Sequence, residues 1–353
     1  MRAILHARTS DGSVLADDLY LVGRSLEDLP PTDQIHETLR ERMALLDEAS
    51  SAPAWEDEYV GPVLFEEDAA ADLFRWVLVR QLEGTPGEIP FESFFGDLTS
   101  GSSSDVRLGR RVLPQGWSVY DDPSEDLRFS GAFTHDNEGT PAQKVELVTD
   151  GIVRNALMSR VPRADLDASN GHARGSLTEV ARGRASIVHV QAPRRDSARK
   201  IHKRALALAS SYGHDHYVVI RQLQEPASRL FGDPRAYLTD DQALQLPPPL
   251  VAWRVYSDGR EEMYRSVEIS EVQRYALRDI AAVGEPVTMD YLASAYSFPA
   301  AEGAVQGLPT RITAPSVLVG ELELFPAPPE RQKPRLLDPP PTSGFSAEIG
   351  AIE

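Results

Sequence analysis

Three Asp-Gly pairs, at 11–12, 150–151 and 258–259, each separate two apolar runs, and this pattern constrains the chain most. Asp-Gly suits a tight turn because glycine accepts the positive φ that such turns need. The first hairpin reads as Ala3–Ala7 and Val14–Val22 around Ser10-Asp11-Gly12-Ser13. The second joins Lys144–Val148 to Ile152–Met158, and the third joins Val251–Tyr256 to Glu262–Ile269. A chain built on such turns is rich in antiparallel sheet. The further apolar runs Tyr59–Phe65, Ala185–Val190, His216–Leu223 and Pro315–Phe325 add strands.

Helices are fewer. Thr32 opens a pattern with Ile35, Leu39, Met43 and Leu46 on one stripe. Glu66–Leu82 places Leu73, Phe74, Val77 and Leu78 together, with Glu66, Glu67 and Asp68 favouring its N-terminus. Arg194–Tyr212 carries Ala198, Ile201, Ala205 and Leu208. Ser270-Glu271-Val272-Gln273 fits a capping box and predicts a helix running to Val283-Gly284. The fold expected is α+β and β-rich, with antiparallel hairpins and several packed helices. Three parts are expected: a hairpin and helix over 1–58, a main domain over 59–325 and a Pro-rich tail over 326–353. Gly/Ser-rich residues 96–105 and the tail beyond 339 are expected to be mobile.

Charge and composition narrow the function. The chain has 353 residues, with 36 Lys+Arg against 54 Asp+Glu for a net charge of −18. Nucleic acid and anionic membrane are therefore disfavoured as partners. Residues 1–105 carry 7 basic and 22 acidic side chains, whereas residues 106–204 carry 17 and 12. The absence of cysteine excludes disulfides, thiolate metal sites and thiol nucleophiles, and fits a cytoplasmic location. No secretory leader and no run of about 20 apolar residues is visible. No phosphate loop, dinucleotide fingerprint or serine-hydrolase elbow occurs.

With cysteine absent, histidines are the candidate metal ligands. His36-Glu37 is followed one turn later by Arg40 and Glu41, which leaves no second imidazole on that face. His214 and His216 alternate on a strand, so both face one side, but no third ligand is evident. Two polar clusters stand out: Phe133-Thr134-His135-Asp136-Asn137-Glu138-Gly139-Thr140 and Ala168-Ser169-Asn170-Gly171-His172-Ala173-Arg174-Gly175. Their composition reads as turns.

These clusters, with other segments in the same order, resemble the TldD/TldE family, also called the PmbA or modulator-of-DNA-gyrase family. Tyr59-Val60-Gly61-Pro62-Val63-Leu64-Phe65-Glu66 is similar to its GPVLF block, and Leu108–Val112 to its Gly-basic segment. Val119-Tyr120-Asp121-Asp122-Pro123 resembles its DDP strand end, and Asp136-Asn137-Glu138-Gly139-Thr140-Pro141 its D-x-E-G-x-P turn. Ser169-Asn170-Gly171-His172-Ala173-Arg174 resembles its S-T-G-[NH]-A-R stretch with Asn170 in place of Thr, and Ala314–Leu324 its closing strand. The resemblance spans residues 3–338 and concerns the family's C-terminal region. The usual N-terminal domain would precede Met1, as expected of a separate short protein, a domain or half of a split pair.

The resemblance implies a TldD/PmbA C-terminal-domain-like fold in a family of zinc metallopeptidases that act on peptides and flexible polypeptides. Its catalytic subunits carry His-Glu-x-x-x-His and a later cysteine. Here Glu41 stands where the second His would fall after His36, and cysteine is absent. The resemblance thus leans toward the metal-free TldE-type subunit, with no cofactor in this chain and zinc in a TldD-like partner. A self-dimer is the alternative assembly. Asp136, Asn137, Glu138, Gly139, Ser169, Asn170, Gly171, His172 and Arg174 are then expected near the partner or peptide, with Arg174 suited to a carboxylate or an intrachain salt bridge. Two other readings stay open. One is an active hydrolase using His214, His216 and carboxylates, or a serine. The other is a scaffold that keeps the fold without peptidase work.

Overall fold

The computed structural model describes residues 1–10, 12, 14–84, 107–175, 181–224, 246–270, 272, 276–293 and 307–327. The stretch 96–105 and the tail beyond 339 lie outside the described residues, as do Asp11 and Ser13 of the first turn.

The first hairpin forms as the sequence predicts. Strands β1 (Arg2–Arg8) and β2 (Val14–Tyr20) pair antiparallel and are followed by helix α1 (Thr32–Ser51). Next come β3 (Tyr59–Phe65) and α2 (Glu67–Val77), with a 3-10 turn at Val79–Leu82 replacing the last predicted turn of α2. The central segment contributes β4 (Ser118–Asp121), β5 (Val145–Thr149), β6 (Ile152–Val153), β7 (Ala173–Arg174), β8 (Arg182–Gly183) and β9 (Ile187–Gln191). Helix α3 (Ala198–Ser211) precedes β10 (His216–Ile220), β11 (Ala252–Tyr256), β12 (Glu261–Tyr264) and β13 (Val267–Ile269). Two long strands, β14 (Ile280–Ala293) and β15 (Leu308–Pro326), close the order. The fold is mixed α+β and strand-rich, as expected.

Among the described residues, one 11-stranded sheet runs β12-β11-β10-β3-β15-β9-β4-β5-β6, with β13 and β14 also paired to β15. Most pairs are antiparallel. β10–β3 and β15–β9 are parallel.

The predicted helix from Ser270 is not what the described residues show. A 3-10 turn at Ala276–Arg278 leads into β14, so Val283-Gly284 lies in a strand. A capping box is a local preference, and the eleven paired positions between β14 and β15 outweigh it. The third hairpin also departs from expectation. Its second strand breaks at Ser266, which takes a φ of 58°, and the chain then leaves β11 to pair with β15 as β13.

Period-two alternation explains why Val63–Phe65, Tyr217–Ile220 and Val317–Val319 are apolar on both faces of the sheet. Val63 and Phe65 of β3, Val218 and Ile220 of β10, and Val317 and Val319 of β15 join the core beneath α2, with Leu73 and Phe74. Leu64, Tyr217, Val219 and Leu318 point to the other face, where α3 places Ile201, Ala205 and Ala209. Leu46 and Ala49 of α1 and Leu15 of β2 extend this second core. Strands covered on both faces lose the polar half of the usual alternation.

Replacing Leu73, whose side chain is fully buried, with Ala is expected to cost about 2–5 kcal/mol. Met43→Ala on the exposed face of α1 should stay within about 0.5 kcal/mol. Urea denaturation of the two variants measures the difference.

Candidate functional site

The structure brings the two polar clusters together as one knot. Asp136 organises the first. Its Oδ1 accepts the backbone N–H groups of Glu138 (2.9 Å) and Thr140 (2.8 Å), and its Oδ2 accepts that of Ala173 in the second cluster (3.0 Å). Asn137 adds a bond from its N–H to the Ala173 carbonyl (2.9 Å), and its Oδ1 accepts from Gly175 N–H (3.1 Å). Glu138 accepts the Arg160 N–H at 2.7 Å. Gly139 supplies the φ of 79° that closes the turn.

The second cluster is held as tightly. Asn170 Oδ1 accepts the Met158 N–H (2.8 Å), and its Nδ2 donates to the Ala156 carbonyl (2.7 Å). Ser169 Oγ donates to the Met158 carbonyl at 3.3 Å. Gly171 has a φ of 74°, and a Cβ there would sit 2.1 Å from the Pro141 carbonyl oxygen. Only glycine fits both constraints.

Behind the knot the polar groups go inward. His172 is fully buried; its Nδ1 donates to the Asn170 carbonyl (3.0 Å), and its Nε2 lies 3.5 Å from Asp121 Oδ1. Asp121, also fully buried at the end of β4, accepts the N–H groups of Ser186 (2.7 Å) and Ile187 (3.1 Å). Arg174 does not bridge to a carboxylate through a hydrogen bond. It donates to the Ala185 carbonyl, to Thr310 Oγ1 (3.2 Å) and to the Pro309 carbonyl (2.6 Å). Burial pushes its pKa down to about 10, opposed by the charges of Asp121 and Glu83. Burial likewise raises the Glu83 carboxyl, against the pull of Arg184, Arg80 and Arg174.

Tyr291 of β14 continues this seam. Burial raises its phenol, and the groups in electrostatic reach include Arg75, Glu83, Asp121 and Arg174. The Arg75 guanidinium lies 4.1 Å from its ring centre and 3.1 Å from Asp72 of the same helix. Here the seam opens into a cavity of about 290 Å³, lined by β2, α1, α2 and β14 together with Gln222 and Arg311. Arg42 reaches from α1 to Asp17 at 2.8 Å and to Asp68 at 3.7 Å. Arg311 forms a two-pronged pair with Asp290 at 2.7 and 2.9 Å.

Sequence reading missed this cavity, because its walls come from segments far apart in the chain. One signal was available: Asp17 sits at an otherwise apolar position of a strand, Leu15-Ala16-Asp17-Asp18-Leu19. A charged residue facing a core needs a partner, and that partner is Arg42.

His214 and His216 share one face, as their spacing predicts, with ring centres 5.7 Å apart. One ring nitrogen of each is engaged elsewhere, while His216 Nε2 is buried without a hydrogen-bond partner. His214 Nε2 donates to the Val60 carbonyl (3.0 Å), His216 Nδ1 contacts Asp215 (2.8 Å), and Tyr59 stacks on His214 at 4.6 Å. Among the described residues no group of three or more His, Cys, Asp or Glu is placed to hold a metal ion. The described histidines and carboxylates are therefore not assembled into a zinc ligand set.

Residues 58–218 match the family model of the PmbA/TldA metallopeptidase C-terminal domain. Three crystal structures share the fold over 92% of this chain. One is a protein described as a modulator of a DNA gyrase from Thermotoga maritima, with TM-score 0.54 and 17% identity. The second is TldE from Thermococcus kodakarensis, with TM-score 0.51 and 14% identity. The third is another protein described as a modulator of DNA gyrase, from Bacteroides thetaiotaomicron, with TM-score 0.52 and 10% identity. The chain covers 61%, 62% and 59% of their respective lengths. No curated protein matches the sequence. The family-model match spans 161 of the 353 residues, and the three structures show a shared fold.

Two predictions follow from the geometry. Gly139→Ala meets open space and pays only for its φ, so about 1–2 kcal/mol is expected. Gly171→Ala adds a clash with a backbone carbonyl and should lower the melting temperature clearly further; equal shifts would contradict this account. The second concerns His216, whose pKa is lowered mainly by burial. Its neutral form is favoured in the folded state, so its contribution is complete above the ordinary imidazole value near 6.5 and lost as pH falls toward the depressed folded value. Between pH 7.5 and 5, His216→Gln should show a shallower loss of stability than the parent in denaturant titrations.

Proposed function

We propose that the chain is a TldE-like, non-catalytic subunit of a TldD/TldE-type metallopeptidase complex that acts on peptides or flexible polypeptides. The observation that carries this reading is the residue inventory within a matched C-terminal domain: no cysteine exists and no His-Glu-x-x-x-His occurs. A subunit without that ligand set cannot activate water as zinc does. Zinc belongs to a TldD-like partner, and the pair works in the cytoplasm; a self-dimer is the alternative assembly.

This subunit helps to form the substrate cleft. Strand β12 ends the sheet order, and an extended peptide can pair with such an edge. The knot of Asp136, Asn137, Glu138, Gly139, Ser169, Asn170 and Gly171 presents its turns toward the partner or the peptide. His172 and Arg174 support those turns from inside, consistent with their burial.

The test is reconstitution. The purified full chain should retain well under one zinc per chain after dialysis and leave an unstructured peptide uncut. Mixed with a metallopeptidase subunit that carries His-Glu-x-x-x-His, it should form a stable complex that cuts the peptide. Tightly held zinc or cleavage by the chain alone would favour a hydrolase centred elsewhere. A soluble, folded chain that binds no such subunit would favour a scaffold role.

A further inference from the structure

Helix α3 begins with a concentration of positive charge that its own fold does not need. Arg194, Arg195, Arg199, Lys200, Lys203 and Arg204 fall within eleven residues, with Asp196 the only acid among them. Cations near a helix N-terminus oppose the macrodipole. Like charges four residues apart, as in Arg199–Lys203 and Lys200–Arg204, also destabilise a helix. Ser197, the N-cap, makes no side-chain capping bond that would offset this. Two of the cations are paired within the chain, Arg195 with Glu285 at 2.9 Å and Lys200 with Asp196. The side chains of Arg199, Lys203 and Arg204 are exposed and form no ion pair among the described residues.

Helix α1 shows the opposite pattern. Asp33, Glu37 and Glu41 recur every four residues on its exposed side, and Glu48 follows two turns later. None of these four is ion-paired among the described residues. Arg40 is exposed beside them, whereas Arg42 turns inward to Asp17. Both helices pack into one core, through Leu46 and Ala49 of α1 and Ile201, Ala205 and Ala209 of α3. An acidic stripe and a basic stripe therefore look outward from the same helical layer.

We propose that a second copy of this chain docks on this layer about a two-fold axis between the helices, so that α3 of each copy lies over α1 of the other. Arg199 and Lys203 then meet Glu37 and Glu41 at a shared four-residue repeat, and the symmetry makes every pair twice. A nucleic acid would meet the cations of α3 but be repelled by the acids of α1 and by the net charge of −18. A second copy uses both stripes. Exposed ion pairs are individually weak, so the dimer is reversible and salt-dependent. The inference gives a surface to the self-dimer and does not rest on the peptidase reading.

Sedimentation velocity on the full chain, without any other subunit, tests this. At about 0.1 M salt a screening length of about 10 Å damps repulsion between two net-negative bodies and spares contacts across an interface; at about 1 M it falls to about 3 Å and the contacts are screened as well. The dimer should form at the lower salt and be at least tenfold weaker at the higher. Arg199→Glu with Lys203→Glu in one chain should weaken it at least tenfold, and so should Glu37→Lys with Glu41→Lys in another. Both should melt within a few degrees of the parent, since all four side chains are exposed. Mixing the two variants should restore the dimer, because the reversed α3 of one meets the reversed α1 of the other while the two unaltered helices meet each other. A monomer throughout, a dimer indifferent to salt or to either variant, or no rescue on mixing would overturn the proposal. A monomer that binds polyglutamate or duplex DNA through Arg199 and Lys203 would assign the stripe to a foreign polyanion and overturn it too. Each of these outcomes leaves the subunit reading intact, and a dimer formed by a chain that captures no metallopeptidase would stand without that reading.

Discussion

Strand β15 is the element on which the rest of the structure depends. It pairs with β3, β9, β13 and β14, and its side chains alternate between two separate cores. A slip of one residue would send Val317 and Val319 to the face of α3 and Leu318 to the face of α2. Register is thus fixed from both sides. Once it is fixed, Thr310 and Arg311 fall where the buried seam and the cavity need them, under Arg174 and beside Asp290.

The seam itself is an expensive arrangement made tolerable by dense pairing. Asp121, His172 and Arg174 are all withdrawn from water, and each meets backbone groups as well as charged neighbours. Removing one member leaves another charge buried and uncompensated, which costs more than the pair contributes. Arg174 therefore ties the polar knot to β15 through the Pro309 carbonyl and the Thr310 hydroxyl, and its hydrogen bonds go to these groups and to the Ala185 carbonyl in place of a carboxylate.

Much of the fold was legible because it is local. Asp150-Gly151 and Asp258-Gly259 mark real turns, and both glycines take positive φ. The stripes on α1, α2 and α3 follow helical spacing, with Leu46, Leu73 and Ile201 inward. What could not be read was decided at long range. Ser270–Gln273 looks like a helix start, but partners near residue 318 draw the following residues into β14. The two polar clusters were visible as turns, whereas their joining through Asp136 and Ala173 was not. The cavity was invisible for the same reason, since Asp17, Asp68 and Asp290 belong to three distant segments.

The pairing of β3 with β15 also bears on how the chain reaches this state. Val63 lies beside Val319, so the centre of the sheet joins the early part of the sequence to the last described strand. Closing so large a loop costs entropy before any contact rewards it, and high contact order slows folding. During synthesis α2 and β3 must wait, with Phe65, Leu73 and Phe74 uncovered, until β15 has left the ribosome. The interval is a window for aggregation, and the acidic surplus of the first 105 residues is then a useful solubilising charge on the waiting chain.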